Sequence, residues 1–311
     1  MADAILVVGE LNLDLIVSGL PYFPMLGREV VATSMDLVLG SSSAICAAGL
    51  TRLGARVDFV GKVGLDHDGD LVLSQLRQSG VGTSHVIQDP SLRTGLTISL
   101  NLSVDRALIT FMGCIPALRL EDVPLAILQN YRHLHVGSYF LQKNLRRGLP
   151  ELFRQAHRAG LTVSLDTGCD PDGRWGDGEL PDLLRQVDVF MPNEEEARAI
   201  TRADDAESAL RHLSRRAELV VVKRGARGAL SMASGQVIQS PGFKVNVLDT
   251  TGAGDSFNAG FLFARIVRGM PVAESLHFAN ACGALCVTGY GGTAAQPTLE
   301  RVEAFLRETK R

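Results

Sequence analysis

Short, almost wholly apolar runs rich in β-branched residues recur along the chain, separated by segments whose apolar positions repeat every three to four residues. The runs are Ile5–Val8, Val57–Val60, Leu134–Val136, Thr162–Leu165, Val187–Met191 and Leu219–Val222; the segments between them include Asp70–Gln78, Leu145–Ala159 and Glu194–Thr201. A strand without a polar side is buried on both faces, and strands that alternate with helices pair in parallel through helical crossovers. The pattern therefore predicts an α/β fold, with a mostly parallel central sheet covered by helices on both faces. Its crossovers should be right-handed, and its ligands should sit beyond the carboxyl ends of the strands. A chain of 311 residues buries most of the surface its unfolded state exposes, so one domain over 1–311 needs neither disulfides nor a structural metal.

Two stretches break this rhythm. Leu11–Leu39 reads as strand without a clear helix and carries Pro21, Pro24 and Gly27; Thr94–Phe111 reads as two strands, Thr97–Leu102 and Ala107–Phe111, around a polar turn at Ser103–Arg106. Together, 11–39 and 94–111 are expected to form a small antiparallel sheet that projects as a lid over a site.

The charge balance narrows the partners. Net charge is −3, from 31 basic and 34 acidic residues, which lacks the basic footprint of a nucleic-acid binder. The five cysteines, Cys46, Cys114, Cys169, Cys282 and Cys286, form no Cys-x-x-Cys pair and read as reduced thiols. No apolar stretch reaches the ~18 residues of a membrane span. The expectation is a cytoplasmic protein acting on a small molecule, with neither nucleic acid nor membrane as partner.

One string carries chemistry: Asp249-Thr250-Thr251-Gly252-Ala253-Gly254-Asp255-Ser256-Phe257. Glycines before a helical run let the backbone turn its free N–H groups outward together, and with the helix dipole these form an anion cradle. A carboxylate at the edge of such a cradle repels a phosphate. It becomes useful when Asp255 accepts a proton from a hydroxyl that attacks the phosphate. Asp255 also fits the plainer role of a favourable first-turn acid.

The whole string closely resembles the second signature of the PfkB carbohydrate kinases, the relatives of ribokinase, and the likeness runs along nearly the whole chain. Gly9-Glu10-Leu11-Asn12-Leu13-Asp14 is similar to the family's opening strand and substrate-binding Asp. Gly40 starts a segment like its first signature, ending at Arg52-Leu53-Gly54-Ala55. Val63-Gly64-Leu65-Asp66-His67-Asp68-Gly69, Pro192-Asn193-Glu194-Glu195-Glu196 and Lys223-Arg224-Gly225-Ala226-Arg227-Gly228 resemble its Val-Gly-x-Asp-x-x-Gly turn, its Asn-x-x-Glu motif and its nucleotide loop. The resemblance implies a ribokinase-like three-layer α/β/α sandwich and ATP-dependent phosphorylation of a hydroxyl on a sugar or nucleoside-like molecule, with Mg²⁺. It implies Asp255 as base and the N–H groups of Gly252, Ala253, Gly254 and Asp255 as anion hole. Asn193, Lys223, Gly225, Gly228 and Asn280 would serve the nucleotide; Asn12, Asp14, Gly40, Ser41 and Arg106 the acceptor; and Glu196 the hydrated Mg²⁺. Asp249 and Thr251 match part of a K⁺ site used by many members, to which carbonyls around Cys286, Gly289 and Gly291 would add. Lids pair in many members, which implies a homodimer. Local readings stand beside these: Asn193 and Glu196 as a capping box, Lys223 as a solvated strand end, Asp14 as a turn cap.

Departures from the family pattern fall on the acceptor side. Ser41 stands where the second glycine of the first signature is usual, and Ile45 where an Asn is. Asp166-Thr167-Gly168-Cys169-Asp170-Pro171 with Arg174 and Trp175 only partly resembles an Asp-x-Asn-x-Arg pattern, and Asp105-Arg106 keeps only the Arg of a Gly-Glu-Arg turn. Ile45 either lines the acceptor pocket, which would disfavour free ribose, or turns into the core of the helix Ser42–Leu53. A non-catalytic binding or regulatory relative remains an alternative. A dinucleotide-dependent oxidoreductase is disfavoured, because Gly9 is followed by Glu-Leu-Asn-Leu rather than a Gly-x-Gly-x-x-Gly.

Overall fold

Every side chain of β1 (Ala4–Val8) is buried, as a central strand of five apolar residues requires. In the computed structural model, which describes residues 4–102, 106–175, 178–233 and 235–309, β1 lies inside a nine-stranded sheet. Its strands are β1, β4 (Arg56–Gly64), β5 (Gly82–Asp89), β8 (His133–Val136), β9 (Thr162–Leu165), β10 (Val189–Phe190), β11 (Leu219–Lys223), β12 (Ala229–Ala233) and β13 (Gln236–Ser240), in the order β13-β12-β11-β10-β9-β8-β1-β4-β5. The seven strands from β11 to β5 pair in parallel, and the β12–β13 hairpin adds an antiparallel edge that the apolar-run pattern did not reveal.

Alternate residues of β1 enter two separate cores. Ile5 and Val7 pack with α1 (Ser42–Arg52), α2 (His67–Gln78), α8 (Ala253–Leu262), α9 (Val272–Cys286) and α10 (Leu299–Glu308). Leu6 and Val8 pack with α3 (Lys143–Arg146), α4 (Leu149–Arg158), α5 (Leu180–Leu183), α6 (Glu194–Thr201) and α7 (Ala206–Leu213). The result is the expected three-layer α/β/α sandwich.

Local chemistry moved three boundaries. The helix expected over Leu145–Ala159 is two, because Pro150 sits in the first turn of α4 and starts it afresh after Gly148. The sequence reads as an apolar helix over Asp255–Val267; it begins at Ala253, with Gly252 in the left-handed region as its N-cap, and its last turn is a π-helix over Phe263–Val267. The sequence reads as a final amphipathic helix from Thr298 to Lys310; it runs over Leu299–Glu308, and Lys310 lies outside the described residues.

A polar ladder crosses the sheet between β8 and β9. His133 bonds Thr162 Oγ1 and Ser164 Oγ, both at 2.7 Å, and His135 bonds Ser164 Oγ at 2.8 Å. Burial lowers the two pKa values to about 3 and about 4, so both rings are neutral at pH 7.

A second sheet, ordered β3-β2-β6-β7, is built from β2 (Asn12–Ser18), β3 (Ser34–Leu39), β6 (Gly95–Asn101) and β7 (Arg106–Phe111). Its central pair, β2 and β6, is parallel, so the sheet is mixed rather than antiparallel throughout. The turn residues Ser103, Val104 and Asp105 lie outside the described residues. No described helix is long and apolar enough to cross a membrane.

Candidate active site

Five parallel strands end at one edge of the large sheet, and their following residues supply most of the polar side chains of the site. Glu10 follows β1 and is buried. It accepts hydrogen bonds from Ser41 Oγ (3.0 Å), Ser43 N (3.3 Å), Ser43 Oγ (2.5 Å) and Ser138 Oγ (2.8 Å). Ser41 and Ser138 both have left-handed backbone, at φ 68° and 48°, which costs a non-glycine residue free energy. The Glu10 carboxylate holds both, and with them the start of α1. Burial raises its pKa despite these donors.

α1 lies against α8, whose first turn carries the expected base. Asp255 is the third residue after the Gly252 cap, and the nearby Ser42 side chain favours its ionised form. Burial and then the charge of Asp166 raise its pKa to about 7, while Lys223 pulls it down. The preceding loop is pinned from two sides. Asp249 accepts from Thr251 N (2.9 Å), Thr251 Oγ1 (2.7 Å) and Gly291 N (3.0 Å). Gly252 (φ +72°) lies so close to Gly292 that a Cβ there would stand 2.8 Å from its Cα. Ile45 packs under the same loop at 3% exposure, its Cδ1 3.0 Å from where a Cβ on Gly292 would stand. Its side chain is buried against this loop, rather than open to an acceptor pocket as a selection against ribose would need.

Lys223, at the end of β11, is not a solvated strand end. Its ammonium donates to Asp166 Oδ2 (2.5 Å) and Asn258 Oδ1 (3.2 Å), and Asn258 Nδ2 donates to the same Asp166 oxygen (2.5 Å). Burial opposes ionisation of Asp166, but the Lys223 charge outweighs it and the carboxyl pKa lies below its ordinary value. Burial likewise opposes the Lys223 charge, and Asp166 followed by Glu196 overcomes it and raises the pKa. An isolated parallel bridge, three residues past the end of β10, places Asn193 beside Lys223 at the end of β11. Asn193 caps α6, and Glu196 Oε2 accepts from Asn193 N (2.8 Å) and Thr167 Oγ1 (3.1 Å), so the capping box is real. Burial, then Asp166, raises the Glu196 pKa to about 7.

The second sheet faces this group. Asn12 Nδ2 donates to Asp14 Oδ1 (2.9 Å), and Gly40 lies so close that a Cβ there would stand 2.2 Å from the same oxygen. Burial raises the Asp14 pKa to about 6, against the Asn12 hydrogen bond and the Arg106 charge. Arg106, from β7, donates to Thr251 Oγ1 at 2.9 Å and so joins the second sheet to the glycine loop. Gly225, Gly228 and Asn280 lie in a neighbouring group. Gly228 (φ +83°) touches the Ser240–Gly242 backbone, and Asn280 Nδ2 donates to Ser240 O (3.1 Å), Ser240 Oγ (3.0 Å) and Pro241 O (3.2 Å). A surface cavity of about 460 Å³, lined by Leu184, Arg185, Ile200, His212 and Arg215 among others, includes none of these groups.

Residues 3–299 match the pattern that defines the pfkB family carbohydrate kinases. The chain belongs to this family. Within it, the kinase is 33% identical over 274 residues to the ATP-dependent ribose-1-phosphate kinase of Halopiger xanaduensis, covering 86% of each chain. It is 27% identical over 315 residues to the ribokinase of Haemophilus influenzae, covering 98% of this chain and 99% of that one. The Arabidopsis thaliana ribokinase solved with ribose and ATP superposes with a TM-score of 0.82 at 26% identity, over 99% of both chains. The fold is the ribokinase fold, and the kinase is a carbohydrate kinase.

Three contributors to the kinase's site escaped sequence reasoning: Asn258, Ser42 and the Glu10 hub. Asn258 had a usable signal, since it lies three residues after Asp255 and so on the same face of α8. Ser42 and Glu10 had none, because their partners come from other elements.

Proposed function

We propose that this kinase transfers the γ-phosphoryl group of ATP to a hydroxyl of a sugar or nucleoside-like acceptor, with Asp255 as the base. The supporting observation is the position of Asp255. It is a carboxylate with a pKa near 7 in the first turn of a helix that opens on a glycine cap. Asp255 takes the proton of the acceptor hydroxyl as that oxygen bonds to the γ-phosphorus and the bond to the β-phosphate oxygen breaks. The N–H groups of Gly252, Ala253, Gly254 and Asp255 meet the charge on the transferring group, where one such donor is typically worth about 10²–10³ in rate. Asn12 and Asp14, with Gly40 packed against them, hold acceptor hydroxyls together with Ser41. Arg106 keeps the second sheet closed on the glycine loop and excludes water from the phosphate. Asn193, Gly225, Gly228 and Asn280 lie along the nucleotide.

The residues fit magnesium. Glu196 offers one buried carboxylate, and no described cluster of three or more His, Cys, Asp or Glu is present to cage a metal. Mg²⁺ takes few carboxylates and fills its shell with water and phosphate oxygens, and it neutralises phosphate charge when bound. The fit to K⁺ is poorer. Both Asp249 oxygens already accept protein N–H or O–H groups, and the thiol of Cys286 points at the Thr251 and Gly292 carbonyls from 3.7 and 3.8 Å.

The test is ADP release from MgATP across sugars, sugar acids, sugar phosphates and nucleosides. Turnover with one acceptor class is expected, and a protein that binds MgATP yet phosphorylates none of them favours a non-catalytic relative. Glu196→Gln should raise the Mg²⁺ concentration for half-maximal turnover by about tenfold, the scale of a lost charged ligand. An unchanged metal titration would remove Glu196 from the magnesium site.

The second sheet also supports a homodimer. Its two edge strands expose large apolar side chains, Met35 and Leu37 on β3 and Leu108, Ile109 and Phe111 on β7. Edge strands left this way are templates for pairing with a second copy. Sedimentation should give twice the 33.4 kDa chain mass, and Leu37→Lys with Ile109→Lys should halve it. A wild-type chain that sediments as a monomer would sink the dimer.

A further inference from the structure

The feature the mechanism above leaves unused is the clamp on Lys223. A buried Lys–Asp pair is usually a strut between elements, and this one does join β9, β11 and α8. Its position sets it apart from a plain strut. Gly254, in the first turn of α8, is exposed, and the Lys223 Nζ stands 3.9 Å from where a Cβ on Gly254 would be. No other atom outside the neighbouring residues and the helix backbone comes within 4 Å of that point. The ammonium therefore faces the open mouth of the glycine cradle.

The hydrogen count agrees. An ammonium has three donors. One meets Asp166 Oδ2 and one meets Asn258 Oδ1, which leaves the third for a ligand. Asn258 completes the clamp, because its Nδ2 bonds the same Asp166 oxygen and its Oδ1 accepts from Lys223. It lies one turn past Asp255 on α8, so a single helix carries both the proposed base and one jaw of the clamp. Gly168 N fixes the other Asp166 oxygen at 2.9 Å.

The charge balance gives the clamp a purpose. The charge of Asp166 acts on both Glu196 and Asp255, and Lys223 is the cation felt by all three carboxylates. Three carboxylates around a phosphate would repel it. A lysine clamped between Asp166 and Asn258 places one full positive charge at the cradle while its partner carboxylate stays behind it.

We propose that Asp166 and Asn258 are positioning residues that aim the Lys223 ammonium at the phosphoryl group in transfer. Lys223 thereby acts on the γ-phosphate rather than on the adenosine part of the nucleotide. This rests on the kinase reading above and narrows the part Lys223 plays in it. Lys223 keeps its three protons throughout. The hydroxyl proton goes to Asp255, one oxygen–phosphorus bond forms and one breaks, and the ammonium only balances the charge that accumulates on the phosphoryl oxygens.

The test compares the affinities of MgADP and of Mg with a non-hydrolysable ATP analogue, by calorimetry, in wild type, Lys223→Met, Lys223→Arg, Asn258→Ala and Asp166→Asn. Lys223→Met should cut the preference for the triphosphate by about 10- to 100-fold while MgADP affinity changes by less than about threefold, as expected when one charge-assisted contact to the γ-phosphate is lost. Asn258→Ala should cut it by about tenfold, and Lys223→Arg should restore part of it. In turnover, Asn258→Ala should lower kcat with little change in the KM for ATP, the split expected of a contact that strengthens in the transition state. If Asp166→Asn fails to fold, Asn258→Ala and Lys223→Met decide the matter. An unchanged triphosphate preference in both, alongside a lower urea midpoint, makes the clamp a strut and overturns the proposal while the kinase reading stands. A wild-type protein that binds neither nucleotide overturns both.

Discussion

Asp255→Asn should lower kcat by about 10²–10⁴-fold, the usual worth of a positioned base, while MgATP affinity stays within a few-fold of wild type. The pH profile should carry the same signature. Burial raises the folded-state pKa of Asp255 to about 7, and only the ionised form accepts a proton. The wild-type kcat/KM should therefore fall about tenfold per pH unit below 7, and this limb should be missing from the residual activity of the variant. Stability should move the opposite way. Asp255 binds a proton more tightly in the folded than in the unfolded chain, so between about pH 4 and pH 7 stability rises as pH falls. At pH 8 the wild type holds this carboxylate ionised against its environment, whereas the amide of the variant carries no charge. The variant should melt at or above the wild-type temperature at pH 8, with the gap closing towards pH 5. A variant that keeps a tenth of wild-type turnover would remove Asp255 as the essential base.

Gly252→Ala should be the most damaging of the small substitutions. At φ +72° an alanine pays roughly 1–2 kcal/mol in backbone strain alone. Its Cβ would also meet the Gly292 Cα at 2.8 Å and the Gly292 carbonyl oxygen at 2.9 Å, and both are backbone atoms with no rotamer to escape into. The two loops must separate. That would loosen the Asp249–Gly291 and Arg106–Thr251 hydrogen bonds and turn the cradle N–H groups away from the phosphate. A loss of about 10²-fold or more in kcat/KM is expected, in line with the removal of an anion-hole donor. Gly160→Ala is the control. Gly160 has φ +87° with nothing within 4 Å of a Cβ, so it carries the conformational cost alone. Its urea midpoint should fall by a similar backbone amount with kcat/KM unchanged. Equal kinetic losses in both variants would show that cradle geometry is not what Gly252 protects.

The parts of the molecule legible in the sequence were those fixed by neighbours along the chain. Ile5–Val8 and Thr162–Leu165 read as buried parallel strands because a run with no polar side has nowhere else to go, and Glu194–Thr201 read as a helix because its cap and the acid three residues later lie within one turn. The glycine cradle and Asp255 read as a phosphate site for the same reason: nine consecutive residues carry the turn, the helix start and the acid. The β12–β13 hairpin escaped because Ala229–Ala233 and Gln236–Ser240 form an edge, and their mixed polar and small residues show no continuous apolar run. The parallel pairing of β2 with β6 was equally invisible, since strand direction depends on where a distant segment arrives.

Charge placement was decided only by the tertiary structure. Lys223 and Asp166 are 57 residues apart, Asn258 and Asp166 are 92 apart, and Glu10 and Ser138 are 128 apart. The energy of such pairs depends on separation and on how much water is excluded, and neither is written in local sequence. The sequence alone determined the buried central strands and their alternation with helices, the turn before α8 and the carboxylate set in it. The fold determined which of the other charges were buried together, and so made a strand-end lysine the clamped cation of the site, and it buried Ile45 against the glycine loop.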